Sequence, residues 1–132
     1  THICCAAGTG TMAAGLAIAA GKETRIVAVS VMKSNPEIGR NIELFSKKNT
    51  FELQHDYHFG GYAKHTPGLI HFMNDFYQST SIPSDFVYTG KLFYAINDLA
   101  TKKYFPAGSR LLLIHSGGLQ GNASLSKGTL IF

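Results

Sequence analysis

The chain is short of charge, of cysteine and of long apolar runs, and each shortage removes a class of function. Charged residues make up 15% of its 132 residues, against about 25% in ordinary soluble domains. With 45% hydrophobic residues, part of its surface is expected to lie under further protein. The 12 basic residues outnumber the 8 acidic ones, giving a net charge of +4, but they are scattered. Lys47-Lys48 and Lys102-Lys103 are short pairs on solvated faces, so no stripe for nucleic acid is expected. No apolar run approaches the ~20 residues of a membrane span, and no signal-peptide pattern is present. The two cysteines, Cys4 and Cys5, are adjacent in an apolar run. Neighbours on a strand face opposite sides, so they do not pair with each other. They read as small buried hydrophobes, and free thiols fit a reducing, cytoplasmic setting. The length allows one domain.

What is present concentrates at the start. Ile3 to Ala7 reads as a buried strand that stops at Gly8-Thr9-Gly10-Thr11. A helix of small residues follows from Met12 to Ala20, with Gly21 at its expected C-cap. A strand, a Gly/Thr loop and a helix N-terminus form an anion cradle. Glycines admit close backbone approach, free N–H groups point at the ligand and the helix dipole favours negative charge. Thr9 and Thr11 add hydroxyls, and phosphate is the natural guest. The chain begins inside this strand, without Met or leader, and is expected to be a piece of something longer.

Strand and helix patterns then alternate. Thr24 to Met32 is a second β-branched strand. Ser34-Asn35-Pro36-Glu37 opens a helix running to about Lys48, since Pro suits an early helical position. Phe51 to Tyr57 predicts a third, exposed strand, and His58 to His65 a loop. Thr66-Pro67 caps a helix from Gly68 to about Ser79, apolar through Leu69, Ile70, Phe72, Met73 and Phe76. Phe86 to Tyr88 predicts a short extended piece, and Thr89-Gly90 starts a helix from Lys91 to Lys103. Arg110 to His115 predicts a buried strand ending at Ser116-Gly117-Gly118. Residues 1–121 form the domain, and residues 122–132 read as an appended tail. The order predicts an α/β fold with a mainly parallel sheet flanked by helices. Ligands of such sheets bind beyond the carboxyl ends of strands. The loops at Gly8–Thr11, Tyr88–Gly90 and Ser116–Gly118 are therefore expected to form one site.

Gly8-x-Gly10-x-x-Ala13 also fits a dinucleotide fingerprint. That reading needs an acidic residue at the end of the second strand, where Val29-Ser30-Val31-Met32-Lys33 offers none. His55 and His58 are too few for a metal centre without a third ligand, and none is assigned. His115 reads as a hydrogen-bonded core histidine. Tyr88 can stack on a planar ligand and donate a proton, and Tyr62, after Gly60-Gly61, is a second candidate in the same role.

Together these pieces resemble a known family. Phe86-Val-Tyr88-Thr89-Gly90-Lys91, followed by Tyr104 to Gly118, resembles the C-terminal part of the 1-aminocyclopropane-1-carboxylate deaminase and D-cysteine desulfhydrase family. Those are pyridoxal-phosphate enzymes of the tryptophan synthase β-like fold, fold type II. Gly8-Thr9-Gly10-Thr11 resembles the family's cofactor phosphate loop, and Tyr57 to Lys64 the segment with an active-site tyrosine. The resemblance implies that Gly8, Thr9, Gly10 and Thr11 bind the 5′-phosphate. It places Tyr88 and Tyr62 as catalytic residues, and Thr89 and Ser116 near the pyridine nitrogen. It further implies a small amino-acid substrate and a homodimer of the full-length protein. Thr89 stands where the deaminases carry Glu, as in the desulfhydrase branch, which suits β-elimination to sulfide, ammonia and pyruvate. The Schiff-base lysine that such chemistry needs lies upstream of the phosphate loop in that family, and no lysine here sits in a matching context. The parent is expected to be a lyase or deaminase and this fragment inactive. The alternative is a non-catalytic domain that binds a phosphate ligand.

Overall fold

The computed structural model describes residues 1–46 and 51–132. The Lys47-Lys48 pair and the expected end of the second helix lie outside the described residues. Among the described residues, strands β1 (His2–Ala7), β2 (Arg25–Ser30), β3 (Phe51–Gln54) and β4 (Leu111–Leu113) form one sheet. Its order is β3-β2-β1-β4, and every pair is parallel. Helices α1 (Thr11–Ala19), α2 (Glu37–Ser46), α3 (Pro67–Thr80) and α4 (Thr89–Thr101) cover it, and a 3₁₀ turn follows at Leu119–Ser124. The α/β reading with a parallel sheet and flanking helices is correct.

Both faces of the central strands are covered, which is why they read as continuous apolar runs rather than alternating ones. On one face Cys4, Val27 and Val29 pack against Leu92, Ala95, Ile96 and Leu99 of α4. On the other, Cys5, Ala7, Ile26 and Ala28 meet Ala13, Ala14 and Ala17 of α1 and Ile38 and Ile42 of α2. The three alanines let α1 lie close to the sheet, and each fully buried Ile or Val contributes about 1.5–3 kcal/mol. A third cluster joins Leu69 and Met73 of α3 to Phe86 and Val87. Residues 122–132, expected to be a tail, pack here: Leu125, Leu130 and Phe132 lie against it. Asn74 binds both the Thr129 carbonyl (3.2 Å) and the Ile131 amide (3.1 Å).

Five local expectations are corrected. Phe86 to Tyr88 is a turn, not an extended piece, because the Asp85 carboxylate gathers the amides that follow it. The first helix is capped by Ala20, whose N–H donates to Leu16 O at 2.8 Å and whose backbone is extended, so Gly21 is not its cap. The third strand is half-buried and stops at Gln54. The fourth is a three-residue edge strand, half-buried, with Leu112 58% exposed. Its successor His115 is exposed rather than core. An edge strand has one neighbour, so an apolar sequence there does not guarantee burial.

The two cysteines do sit on opposite faces, fully buried and free. Burial pushes the Cys4 thiol up to about 11 and the Cys5 thiol up to about 12. Since the thiolate is the reactive form, a thiol-specific reagent at pH 8 should label neither in the native chain and both in urea. Rapid native labelling would mean that β1 opens.

Candidate functional site

Strand β1 lies between β2, which the chain reaches through α1, and β4, which it reaches from α4. The chain thus runs from β1 outward to β2 and β3 on one side and returns to add β4 on the other, so the strand order reverses at β1, the switch point where open α/β sheets form a ligand crevice. A cleft of about 590 Å³ opens there, lined by Gly8–Thr11, Met32, Asn35, Tyr62, Tyr88 and Ser116–Gly118 among others.

The floor is the turn from β1 into α1. Gly10 has φ 90° and is the N-cap of α1 without any side-chain cap. A Cβ on it would stand 3.0 Å from the Ile38 carbonyl and 3.1 Å from Ile42 Cγ1, so α2 can lie this close only because position 10 has no side chain. The first-turn amides of α1 have no carbonyl within the helix to meet. Asn41 of α2 donates to Thr9 O at 3.0 Å, and the Thr9 and Thr11 hydroxyls are 3.0 Å apart. These amides and hydroxyls, at the positive end of a helix, suit an oxyanion.

One wall is Tyr88, the residue before α4. Its ring carbon Cε1 and hydroxyl would lie 3.6 and 3.7 Å from a Cβ placed on Gly8, so the phenol stands over the Gly8–Thr11 loop. Its position is set by Asp85, which is fully buried. Asp85 Oδ1 accepts from the Val87 and Tyr88 amides at 2.9 and 2.7 Å. Its Oδ2 accepts from the Thr89 amide at 2.9 Å and the Thr89 hydroxyl at 2.6 Å. The Thr89 hydroxyl in turn accepts from the Asp85 amide at 2.9 Å. Thr89 is fully buried in this bracket and is not among the residues that line the cleft.

Tyr62 lies edge-on to Tyr88, with ring centroids 5.9 Å apart at 71°. Interaction with the Tyr62 hydroxyl, then burial, pushes Tyr88 up to about 12, so Tyr88 keeps its proton at neutral pH. The opposite wall is Ser116–Gly118. His115 Nδ1 accepts from the Gly117 amide at 3.2 Å, so its proton sits on Nε2 and is donated to Pro83 O at 2.7 Å. Gly118 has φ 97°, and a Cβ on it would come within 3.1 Å of the Asp85 carboxylate.

Seven of the eight expected site residues therefore share this cleft: Gly8, Thr9, Gly10, Thr11, Tyr62, Tyr88 and Ser116. Among the described residues, no charged side chain lines it. Asn35, Met32 and Gln120, which the motif reading does not single out, complete it. Asp85 carries a detectable signal, a Ser-Asp pair ahead of a helix start; Lys91 carries none. His55 and His58 stay outside the cleft, and among the described residues no group of three His, Cys, Asp or Glu could hold a metal ion. Among the described residues, no helix is long and apolar enough to cross a membrane.

No family model matches the chain. It is 33% identical over 130 residues to a Pyrococcus furiosus protein named "Putative 1-aminocyclopropane-1-carboxylate deaminase", covering 88% of this chain and 39% of that protein. A Pyrococcus horikoshii protein of the same name is 40% identical over 67 residues, 51% of this chain and 20% of that one. The fold matches a solved structure described as an ACC deaminase homologue with TM-score 0.82 and 30% identity, over 92% of this chain and 40% of that one. The chain thus spans about 40% of the length of these proteins at most.

Proposed function

The chain belongs to the family of these 1-aminocyclopropane-1-carboxylate deaminase homologues, and from that premise we propose that it is the cofactor-holding part of a pyridoxal-phosphate-dependent lyase or deaminase. The observation that carries this reading is one uncharged cleft in which a helix N-terminus, two hydroxyls and a protonated phenol converge. Gly8, Thr9, Gly10 and Thr11 would hold the 5′-phosphate through backbone N–H groups and hydroxyls. Ser116 would lie near the pyridine nitrogen, with Thr89 acting from behind through Asp85. Bound pyridoxal phosphate supplies an electron sink for bond cleavage next to the substrate's amino group. This chain's own residues orient that ring and hold a proton at the Tyr88 hydroxyl, which makes Tyr88 a donor rather than a base at neutral pH.

The donor set fits the phosphate end of the group. It does not supply the covalent anchor, because among the described residues no lysine lines the cleft. The 132-residue chain is accordingly proposed to bind the cofactor reversibly and to be inactive by itself, catalysis belonging to the whole protein as a homodimer. The neutral lining favours a weak electron sink and hence β-elimination, of the kind that splits D-cysteine into sulfide, ammonia and pyruvate, over opening of a cyclopropane ring. In the whole protein, sulfide release from D-cysteine should exceed ammonia release from 1-aminocyclopropane-1-carboxylate; the reverse ratio would assign it to ring opening. The same lack of a lysine supports a second reading, a non-catalytic domain for a phosphate ligand.

Titration with pyridoxal phosphate, borohydride reduction and intact mass test the cofactor assignment. Saturable absorbance change without a mass adduct is expected. A stoichiometric adduct on one lysine would overturn the separated anchor. No saturable binding at millimolar cofactor would overturn the cofactor reading itself.

A further inference from the structure

Lys91 has a side chain that the cleft does not use directly and the fold does not need as a surface charge. It is fully buried on α4, three residues after Tyr88. Among the described residues no carboxylate lies within ion-pair distance of it. Its Nζ donates instead to two backbone carbonyls of one loop, His58 O at 2.8 Å and Gly61 O at 2.7 Å. Tyr62 is the next residue in that loop. A buried cation on neutral carbonyls is costly unless the hydrogen bonds are well made, and burial brings the amine down to about 8 against the opposing pull of Asp85.

Beyond turn hydrogen bonds within itself, the loop has little else to fasten it to the rest of the fold. Phe59, Gly60, Gly61 and Ala63 all have positive φ, at 52°, 98°, 123° and 50°. Gly60, Tyr62, Ala63, Lys64 and His65 are exposed. Such a segment belongs to the low-stability end of a structure. Its apolar attachments, Phe59 edge-on to Tyr94 at 4.9 Å and His65 to Phe86 at 5.3 Å, flank the Gly60–Ala63 turn without gripping it. Lys91 grips it from beneath.

We propose that Lys91 is a positioning residue for the cleft: it fastens the His58–Lys64 loop to α4, so that Tyr62 on the loop and Tyr88 at the N-cap of α4 face each other at the mouth. Tyr88 is held by α4 through the chain itself, and Tyr62 is held to the same helix through Lys91. A single rigid element thereby sets the separation of both phenols. The consequence for ligand retention rests on the pyridoxal-phosphate reading; the positioning itself does not.

Lys91→Met is the informative variant. Both carbonyls keep a backbone donor, since the Gly61 amide bonds His58 O at 3.0 Å and the Lys64 amide bonds Gly61 O at 3.1 Å, so neither is orphaned and the fold should persist. With tyrosine labelled at Cζ, the NMR titration of Tyr88 should fall from about 12 toward the ordinary phenol range. The Tyr62–Tyr88 ring cross-peaks should vanish, the Gly61 to Lys64 amides should exchange faster, and pyridoxal phosphate should bind about tenfold more weakly. A merely structural lysine would change stability and leave Tyr88's titration in place. Unchanged titration and cross-peaks in Lys91→Met would overturn the proposal. If wild-type chain shows the cross-peaks but binds no pyridoxal phosphate, the cofactor reading falls and the positioning role stands. Should the variant not fold, the wild-type Nζ protons decide. Slowly exchanging Nζ–H signals support the clamp, and solvent-like exchange refutes it.

Discussion

Asp85→Ala is expected to cost about 4 kcal/mol, enough to leave the chain marginal or unfolded. The substitution removes one buried carboxylate and strands four donors: the amides of Val87, Tyr88 and Thr89 and the Thr89 hydroxyl. Each buried donor left without a partner costs roughly 1–3 kcal/mol. Relaxation and entering water recover part of that, which brings the total near the ~3–5 kcal/mol seen when one partner of a buried charged group is deleted. A domain of this size has only about 5–15 kcal/mol in all. Urea unfolding followed by circular dichroism would show the midpoint fall by more than about 1 M. Asp85→Asn should cost about half as much. It keeps an oxygen for Val87 and Tyr88 but turns an NH₂ toward the Thr89 donors. A midpoint for Asp85→Ala within about 0.3 M of wild type would mean that water replaces the carboxylate and that the bracket does not hold Tyr88.

The functional weight of Asp85 comes from its place between two walls. It fixes the turn that presents Tyr88, and its carboxylate is what Gly118 must approach without a Cβ. Partial disorder here would therefore spoil the stacking wall and the Ser116 wall together. In the Asn variant, if it folds, weakened pyridoxal-phosphate binding with an intact sheet is the expected signature.

The sheet and the turn from β1 into α1 were legible in the sequence for a simple reason. Fully covered parallel strands give unbroken apolar runs such as Ile26 to Val29, and the glycines of Gly8-Thr9-Gly10-Thr11 mark where the first strand must stop and turn. The pairing of distant loops into one cleft was legible because the fold class dictates where strand ends meet. What was not legible depends on side chains satisfying one another across the chain. Phe86 to Tyr88 has the composition of a strand, yet Asp85 folds it into a turn through three amides. Arg110 to His115 has the composition of a core strand, yet it lies at the edge of the described sheet, where Leu112 is exposed. Lys91 looks like an ordinary first-turn helix lysine, and only the fold shows two carbonyls waiting for it. Thr89 was expected near a ligand by resemblance, and its hydroxyl is instead spent on Asp85. Local pattern finds elements, whereas buried polar partners are chosen by tertiary contact.

Gly10→Ala should remove ligand binding more completely than any change to the tyrosines. Two independent costs meet at this position. An L-residue at φ 90° is strained, by about 1–2 kcal/mol. The new methyl would also stand 3.0 Å from a backbone carbonyl, that of Ile38, which cannot swing away as a side-chain tip could. Overpacking of this kind costs about 1–3 kcal/mol more. Relief can come only from moving α2 outward or unwinding the first turn of α1. Either movement disturbs the cleft floor: α2 holds Thr9 O through Asn41, and the first turn carries the amides proposed to hold the phosphate. The expected result is a loss of about 2–5 kcal/mol in stability and at least a tenfold weaker response to pyridoxal phosphate, with inorganic phosphate affected in parallel because the damage is at the phosphate end. Gly15→Ala, where an added Cβ meets nothing within 4 Å, is the control: it should be neutral or slightly stabilising, since alanine is the better helix former. If Gly10→Ala binds pyridoxal phosphate as wild type does, the anion site is not at the start of α1, and the cleft holds its ligand by Tyr62, Tyr88 and Ser116 alone.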